Sequence, residues 1–228
     1  MAVAFDSAST ATLALMIANW DSIHTVPASL SNSCLFVGVH WDLGGAEDVT
    51  AITWDQGGTN QALTLVRAHP TAGDLKSELW RLVAPTAGTL LLRVTSSGTD
   101  INSKDITAGL TIFTGVDQTT PTSGAADAEG TSTTPTIDIT SASGDMVLDC
   151  LSAGEADAGT GAGQTQRYQT GIGSKDSKGS TEPGAGTVTM SHTIALSAIW
   201  TMIGVNIKAV GGAAAQQFLL TPVRHDGI

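Results

Sequence analysis

Apolar and polar positions alternate with a period of two along most of the chain, and clusters of Gly, Ser, Thr, Asn, Asp and Pro separate the alternating runs. Two runs show the pattern best. In GDMVLDCLSAG (144–154), Met146, Leu148 and Cys150 share one face while Asp145 and Asp149 take the other. In GTVTMSHTI (186–194), Val188, Met190 and Ile194 oppose Thr187, Thr189, Ser191 and Thr193. IWTMIGVNIKAV (199–210) is apolar on both faces, as a strand covered on both sides would be. Strands are predicted over 2–7, 12–18, 34–41, 48–54, 61–67, 78–84, 88–96, 108–115, 135–140, 145–152, 166–171, 186–194 and 198–209. Segment 10–20 also fits a helix; no long segment holds a 3.6-residue period. About a dozen short antiparallel strands with turn-rich connections predict an all-β fold, a jelly-roll-like β-sandwich.

Three stretches offer little to bury and read as long loops: 122–135, 153–165 and 173–186. The chain shows no exact internal repeat. The pattern predicts one sandwich domain over 1–212, then a C-terminal arm, 213–228, with an apolar centre at Phe218, Leu219 and Leu220. Three consecutive large apolar side chains beyond a domain's last strand need cover. The arm is therefore expected to be an assembly contact with another subunit, the alternative being that it folds back over its own sandwich.

GLTIFTGVDQTTPT (109–122) begins as a strand and breaks into a polar knot. Asp117 is suited to capping the turn, Gln118 to bonding loop backbone and Pro121 to ending the pairing. The knot thus reads as a strand-terminating device that needs no substrate.

Charge and composition narrow the function. Charged residues make up 14% and aromatics 4%, and the net charge is −11, which repels phosphate and argues against nucleic-acid binding. No apolar run of about 18 residues is present, and the N-terminus lacks a basic n-region, so neither a membrane span nor an intact secretory signal is expected. Cys34 and Cys150 read as buried thiols, or as a disulfide if their strands meet.

Catalytic signatures fail in turn. There is no G-x-S-x-G, and GTGAGQT (159–165) lacks the lysine of a phosphate loop. His24, His40, His69, His192 and His225 show no metal-binding spacing. HWD (40–42) sets an imidazole beside Asp42 without a nucleophile, and His192 reads as a hydrogen-bonded core histidine. The expectation is no enzyme and no cofactor. A structural calcium is conceivable from the acidic groups Asp42, Glu47 and Asp48, Asp127 and Glu129, or Glu155 and Asp157. Trp20, Trp41, Trp54, Trp80 and Trp200 are expected in the core; exposed on a sheet, they would offer sugars a stacking platform.

Several motifs in order, LFVGVHW, VTAITWDQGGTNQALTLV, ELWRLVAPTAGTLLLRVT, LTIFTGVDQTTPT and TVTMSHTIALSAIWTMIGVNIKA, resemble a β-sandwich module of bacterial extracellular proteins and tailed-phage structural proteins. The likeness covers most of 1–210. It departs at the hairpin, where Trp54–Asp55 stands in place of the module's Tyr and Thr59 and Asn60 add length. The resemblance carries no catalytic residue. It implies a virion structural protein, a capsid decoration (cement) protein that contacts the major capsid protein and like subunits as a homo-oligomer, with a trimer preferred. The alternative is an extracellular carbohydrate-binding or adhesion module.

Overall fold

The computed structural model describes residues 1–13, 18–42, 48–72, 75–97, 106–172 and 175–211; the expected arm, 213–228, lies outside them. It has seventeen strands: β1 (Ala4–Leu13), β2 (Asn19–Val26), β3 (Cys34–Asp42), β4 (Val49–Trp54), β5 (Gln61–Ala62), β6 (Thr64–Ala72), β7 (Leu75–Val83), β8 (Gly88–Ser96), β9 (Ile106–Thr114), β10 (Thr122–Ser132), β11 (Thr136–Thr140), β12 (Met146–Ala153), β13 (Asp157–Thr160), β14 (Thr165–Ile172), β15 (Lys175–Pro183), β16 (Thr187–Ile194) and β17 (Ala198–Ile207). The described residues contain no helix, and segment 10–20 contributes to β1 and β2.

The strands form four antiparallel sheets, ordered β1-β9-β3-β7-β6, β2-β8-β4-β5, β10-β17-β12-β15-β14 and β11-β16-β13. Three cores separate them. The first, with Val37, Trp41, Ile52, Trp54, Leu92 and Leu110, lies between the two sheets of the N-terminal half. The third, with Ile137, Ile139, Leu151, Val188, Met190 and Met202, does the same in the C-terminal half. The middle core joins Cys34, Phe36, Leu79 and Phe113 to Leu148, Cys150, Ile203 and Val205, so the two large sheets stack back to back. The expected sandwich is there twice, as two jelly rolls sharing a central core.

The halves repeat in topology. Replacing β1, β9, β3, β7 and β6 by β10, β17, β12, β15 and β14 converts one inner sheet into the other, and β2, β8 and β4 convert to β11, β16 and β13. Register extends the match to residues. His40 pairs with Ser77 and Thr107, and Ser152 pairs with Ser177 and Thr201. Irregularities repeat as well: between Leu65 and Arg67 in β6 and between Gln166 and Tyr168 in β14, and between Val49 and Ala51 in β4 and between Asp157 and Gly159 in β13. The sequence hides this repeat because equivalent positions keep their direction in the sandwich while their identity and often their size change, as at Gly109 and Ile203 or Leu79 and Gly179.

Of the three stretches read as loops, 122–135 and 173–186 are largely strands, β10 and β15, while 153–165 holds β13 between turns. Small residues there reflect tight packing. Tyr168 lies buried against Gly109 of the opposite half and Gly179 of β15, and a Cβ at either glycine would overlap its ring. β2 was missed because its inward positions, Trp20, Ser22, His24 and Val26, alternate large apolar with polar residues.

Replacing Gly109 by Val should therefore cost at least about 2 kcal/mol, the usual scale for overpacking. In a Tyr168→Ser background the same substitution should cost at least about 1 kcal/mol less, since the two sites share one space. Denaturant midpoints of the four proteins measure this; additive effects would refute the contact.

Candidate functional site

Four groups of described residues bring histidines, hydroxyls and carboxylates together, and three of them bond inward. At the seam between the inner sheets, Ser77 and Thr201 hydroxyls lie 2.6 Å apart, and the equivalent pair from the opposite sides, Thr107 and Ser177, 2.8 Å apart. These matched bonds mark a local two-fold relation between the halves. His40 joins the seam through Nδ1, 3.0 Å from Ser77 Oγ. Its partner is thus a serine on the neighbouring strand, and the acid/base reading of HWD is not formed through that nitrogen. Among the described residues His40 Nε2 and the Tyr168 hydroxyl, both near Gly38, are buried with no hydrogen-bond partner. Burial lowers the His40 imidazole to about 3.

The second group sits inside the C-terminal half. His192 Nε2 is 2.9 Å from Asp149 Oδ2, and Asp149 Oδ1 accepts from the Ser180 amide and hydroxyl, both at 2.8 Å. Gln164 bonds the Ser180 hydroxyl through its amide and accepts from the Ser191 amide. This has the residues of a Ser-His-Asp triad in another order: the carboxylate lies between the Ser180 hydroxyl and His192 Nε2, so that nitrogen faces an acceptor instead of the serine. His192 is the core histidine the sequence predicts.

The third group clasps the inner sheets at one margin. His69 Nδ1 lies 2.8 Å from Asp127 Oδ2 and its Nε2 3.0 Å from Glu129 Oε2, while Arg67 pairs with Asp127. Both imidazole nitrogens are engaged, and Asp127 and Glu129, read as candidate calcium ligands, here bind a histidine and an arginine. Among the described residues no group of three or more His, Cys, Asp or Glu is arranged to hold a metal.

The fourth group lines a cleft of about 320 Å³ at the free margin of the N-terminal jelly roll, between β1 and β2. Its walls include Val26, Leu35, Leu110 and Ile112, and its polar atoms come from Ser7, Ser9, His24 and Thr25. His24 spans the strands, with Nδ1 2.8 Å from Ser9 Oγ and Nε2 2.9 Å from Ser22 Oγ. Burial lowers its imidazole to about 4. Sequence reading missed this site; its signal is the run of small inward residues Ser7, Ser9 and Ala11, which underfills an edge.

The remaining expectations place as follows. All five tryptophans are buried. Cys34 and Cys150 are free, buried thiols on the two inner sheets; burial pushes Cys34 up to about 12 and Cys150 higher. In the knot, Asp117 Oδ1 accepts from the Thr119 and Thr120 amides at 2.9 and 3.0 Å, which holds its carboxyl below the usual range, and Gln118 donates to the Val116 carbonyl. Gly115 adopts a φ of 69°, with the Ala2 carbonyl where a Cβ would sit, so only glycine serves there. Phe218, Leu219 and Leu220 lie outside the described residues.

No family model, curated protein or solved structure matches the chain, so the module likeness rests on its motifs.

Two outcomes follow from burial. Between pH 6.5 and about 3 the unfolded chain binds a proton at His40 that the folded chain refuses, so stability is full near pH 7 and falls on acidification. Going from pH 7 to 5 should cost about 2 kcal/mol through this residue. His40→Gln should remove that share; an unchanged pH dependence in urea titrations would rule it out. Separately, a thiol reagent should label neither cysteine in the native protein and both after unfolding. Rapid native labelling of either would contradict the packing.

Proposed function

We propose that this chain is a non-enzymatic virion structural protein, a decoration or cement protein on the outside of a tailed-phage head. It works there with the major capsid protein and with like subunits as a homo-oligomer, a trimer being the form preferred. The observation that carries the reading is where the reactive side chains point. His40, His69 and His192, with Ser77, Asp127 and Asp149, bond partners that join strands and halves, so the chemistry-capable groups serve as struts. Two jelly rolls locked through a shared core make a rigid block suited to bearing load on a shell. A net charge of −11 suits an outer face better than one turned toward packaged DNA. The outer face of the C-terminal half presents exposed Thr136, Asp138, Thr140, Thr187, Thr189 and Thr193, a small-residue polar surface fit for lateral contact.

The carbohydrate reading asks for exposed rings. With all five tryptophans and Tyr168 buried, the described residues supply no tryptophan or tyrosine platform for a sugar.

Purified protein added to heads stripped of it should bind saturably, at symmetric positions visible by electron microscopy, and should show no saturable binding on a glycan array. Glycan binding without head binding would overturn the reading, as would a turnover abolished by His192→Ala in a folded variant.

A further inference from the structure

The molecule contains its own control for the cleft. In the C-terminal half the equivalent margin, between β10 and β11, is filled. Register places Ile137 and Ile139 where the N-terminal half has Ser22 and His24, and Gly204 where it has Leu110. Ile139 packs onto Gly204, its Cδ1 2.6 Å from where a Cβ would lie. Asn206, which stands in place of Ile112, straps the margin: it accepts from the Ser141 hydroxyl at 2.6 Å and donates to Ser123 and Asp145 at 3.0 and 2.8 Å. In the N-terminal half two isoleucines are replaced by a serine and a histidine, and the strap is absent from the pairs described between β1 and β2 save for His24–Ser9. Apolar walls remain, with Ile23 exposed at the lip at 69%.

We infer that this cleft is the seat of the chain's own C-terminal segment, with Phe218, Leu219 and Leu220 supplying the apolar volume that Ile137 and Ile139 supply in the other half. Three features favour that occupant. The first is chemistry: beyond its last strand the sequence carries a run of three large apolar residues, and among the described residues this margin of the fold is apolar and underfilled. The second is position. The described chain leaves beside the cleft's own end of the sandwich, because the Val210 amide donates to the Gly115 carbonyl at 2.8 Å and Ala209 bridges Val116. From Gly115 to the lining residues Ile112 and Leu110 is three to five residues of β9, about 10–17 Å of strand. The third is reach. Gly211 to Phe218 is seven residues, up to about 25 Å when extended, so the span is covered with slack. Tethering over so short a distance gives a millimolar effective concentration, which favours the chain's own segment over a free competitor. A segment that seats in its own cleft also fits the same cleft of a neighbour, the exchange by which the homo-oligomer proposed above would form. The inference about the free chain does not depend on that reading.

The test is oxidation of a full-length Ile23→Cys, Leu219→Cys protein at high dilution. The native thiols are buried and serve as silent background. Leu196, 64% exposed and on the β16–β17 connection at the far end of the strands, gives the control pair Leu196→Cys, Leu219→Cys. A disulfide joining positions 23 and 219 within one chain should form at least about tenfold faster than the control, reflecting local effective concentration. Adding Ser22→Ile and His24→Ile, which copies the filled margin, should bring the rate down to the control's. A rate no faster than the control's, or a covalent dimer as the main product at high dilution, would overturn the inference. Binding to heads is read separately, so failure here leaves the virion reading standing.

Discussion

Everything in this fold depends on two sheets approaching closely enough to bury both of their faces. A sheet covered on one side tolerates large outward side chains; a sheet covered on both must match residue sizes across each gap. The inner sheets meet this demand with a core of aliphatic residues and Phe36 and Phe113, and with glycines where Tyr168 lies flat. The hydroxyl pairs Ser77–Thr201 and Thr107–Ser177 then satisfy the polar groups that such an approach strips of water. Breaking one partner of such a pair would leave a buried donor or acceptor unmatched, and that asymmetry makes the seam specific to one alignment of the halves.

The same constraint explains what could be read from the chain and what could not. β8, β16 and β17 are legible because their burial alternates or is continuous, as the apolar pattern requires. The burial of the tryptophans, the role of His192 and the knot at Asp117 are legible because each follows from local composition. β10 and β15 are not. The Gly, Ser and Ala of β10 and the charged and polar residues of β15 imitate loops, and only the strands they pair with reveal them. The cleft is illegible for a related reason: it arises where Ser7 and Ser9 on one strand come to face Ser22 and His24 on a strand of the other sheet, joined through Ser9 and His24, a relation fixed only when the sandwich closes.

The two halves also differ in informative ways. The repeat preserves strand order, the bulges shared by β4 with β13 and by β6 with β14, and the seam pairs, so those are what the architecture requires. Position 24 and its equivalent Ile139 are not preserved, nor are Leu110 and its equivalent Gly204, and one margin is open where the other is shut. An edge open in one half and shut in the other, on a framework whose strand order and seam pairs repeat, is surface left over for contact with something else.

The irregularities in strand pairing have a consequence for crowding. Each margin of the inner sheets ends in a strand whose outer backbone groups lack a sheet partner, an arrangement that invites fibre growth by strand addition. All four such strands carry a break in register: β1 between Phe5 and Ser7, β6 between Leu65 and Arg67, β10 between Ser123 and Ala126, and β14 between Gln166 and Tyr168. A bulge bends the strand and spoils the flat row of donors and acceptors that another chain would need. Molecules held side by side at high density therefore meet through side chains and keep their sheets closed to one another, remaining discrete particles where smooth edges would polymerise.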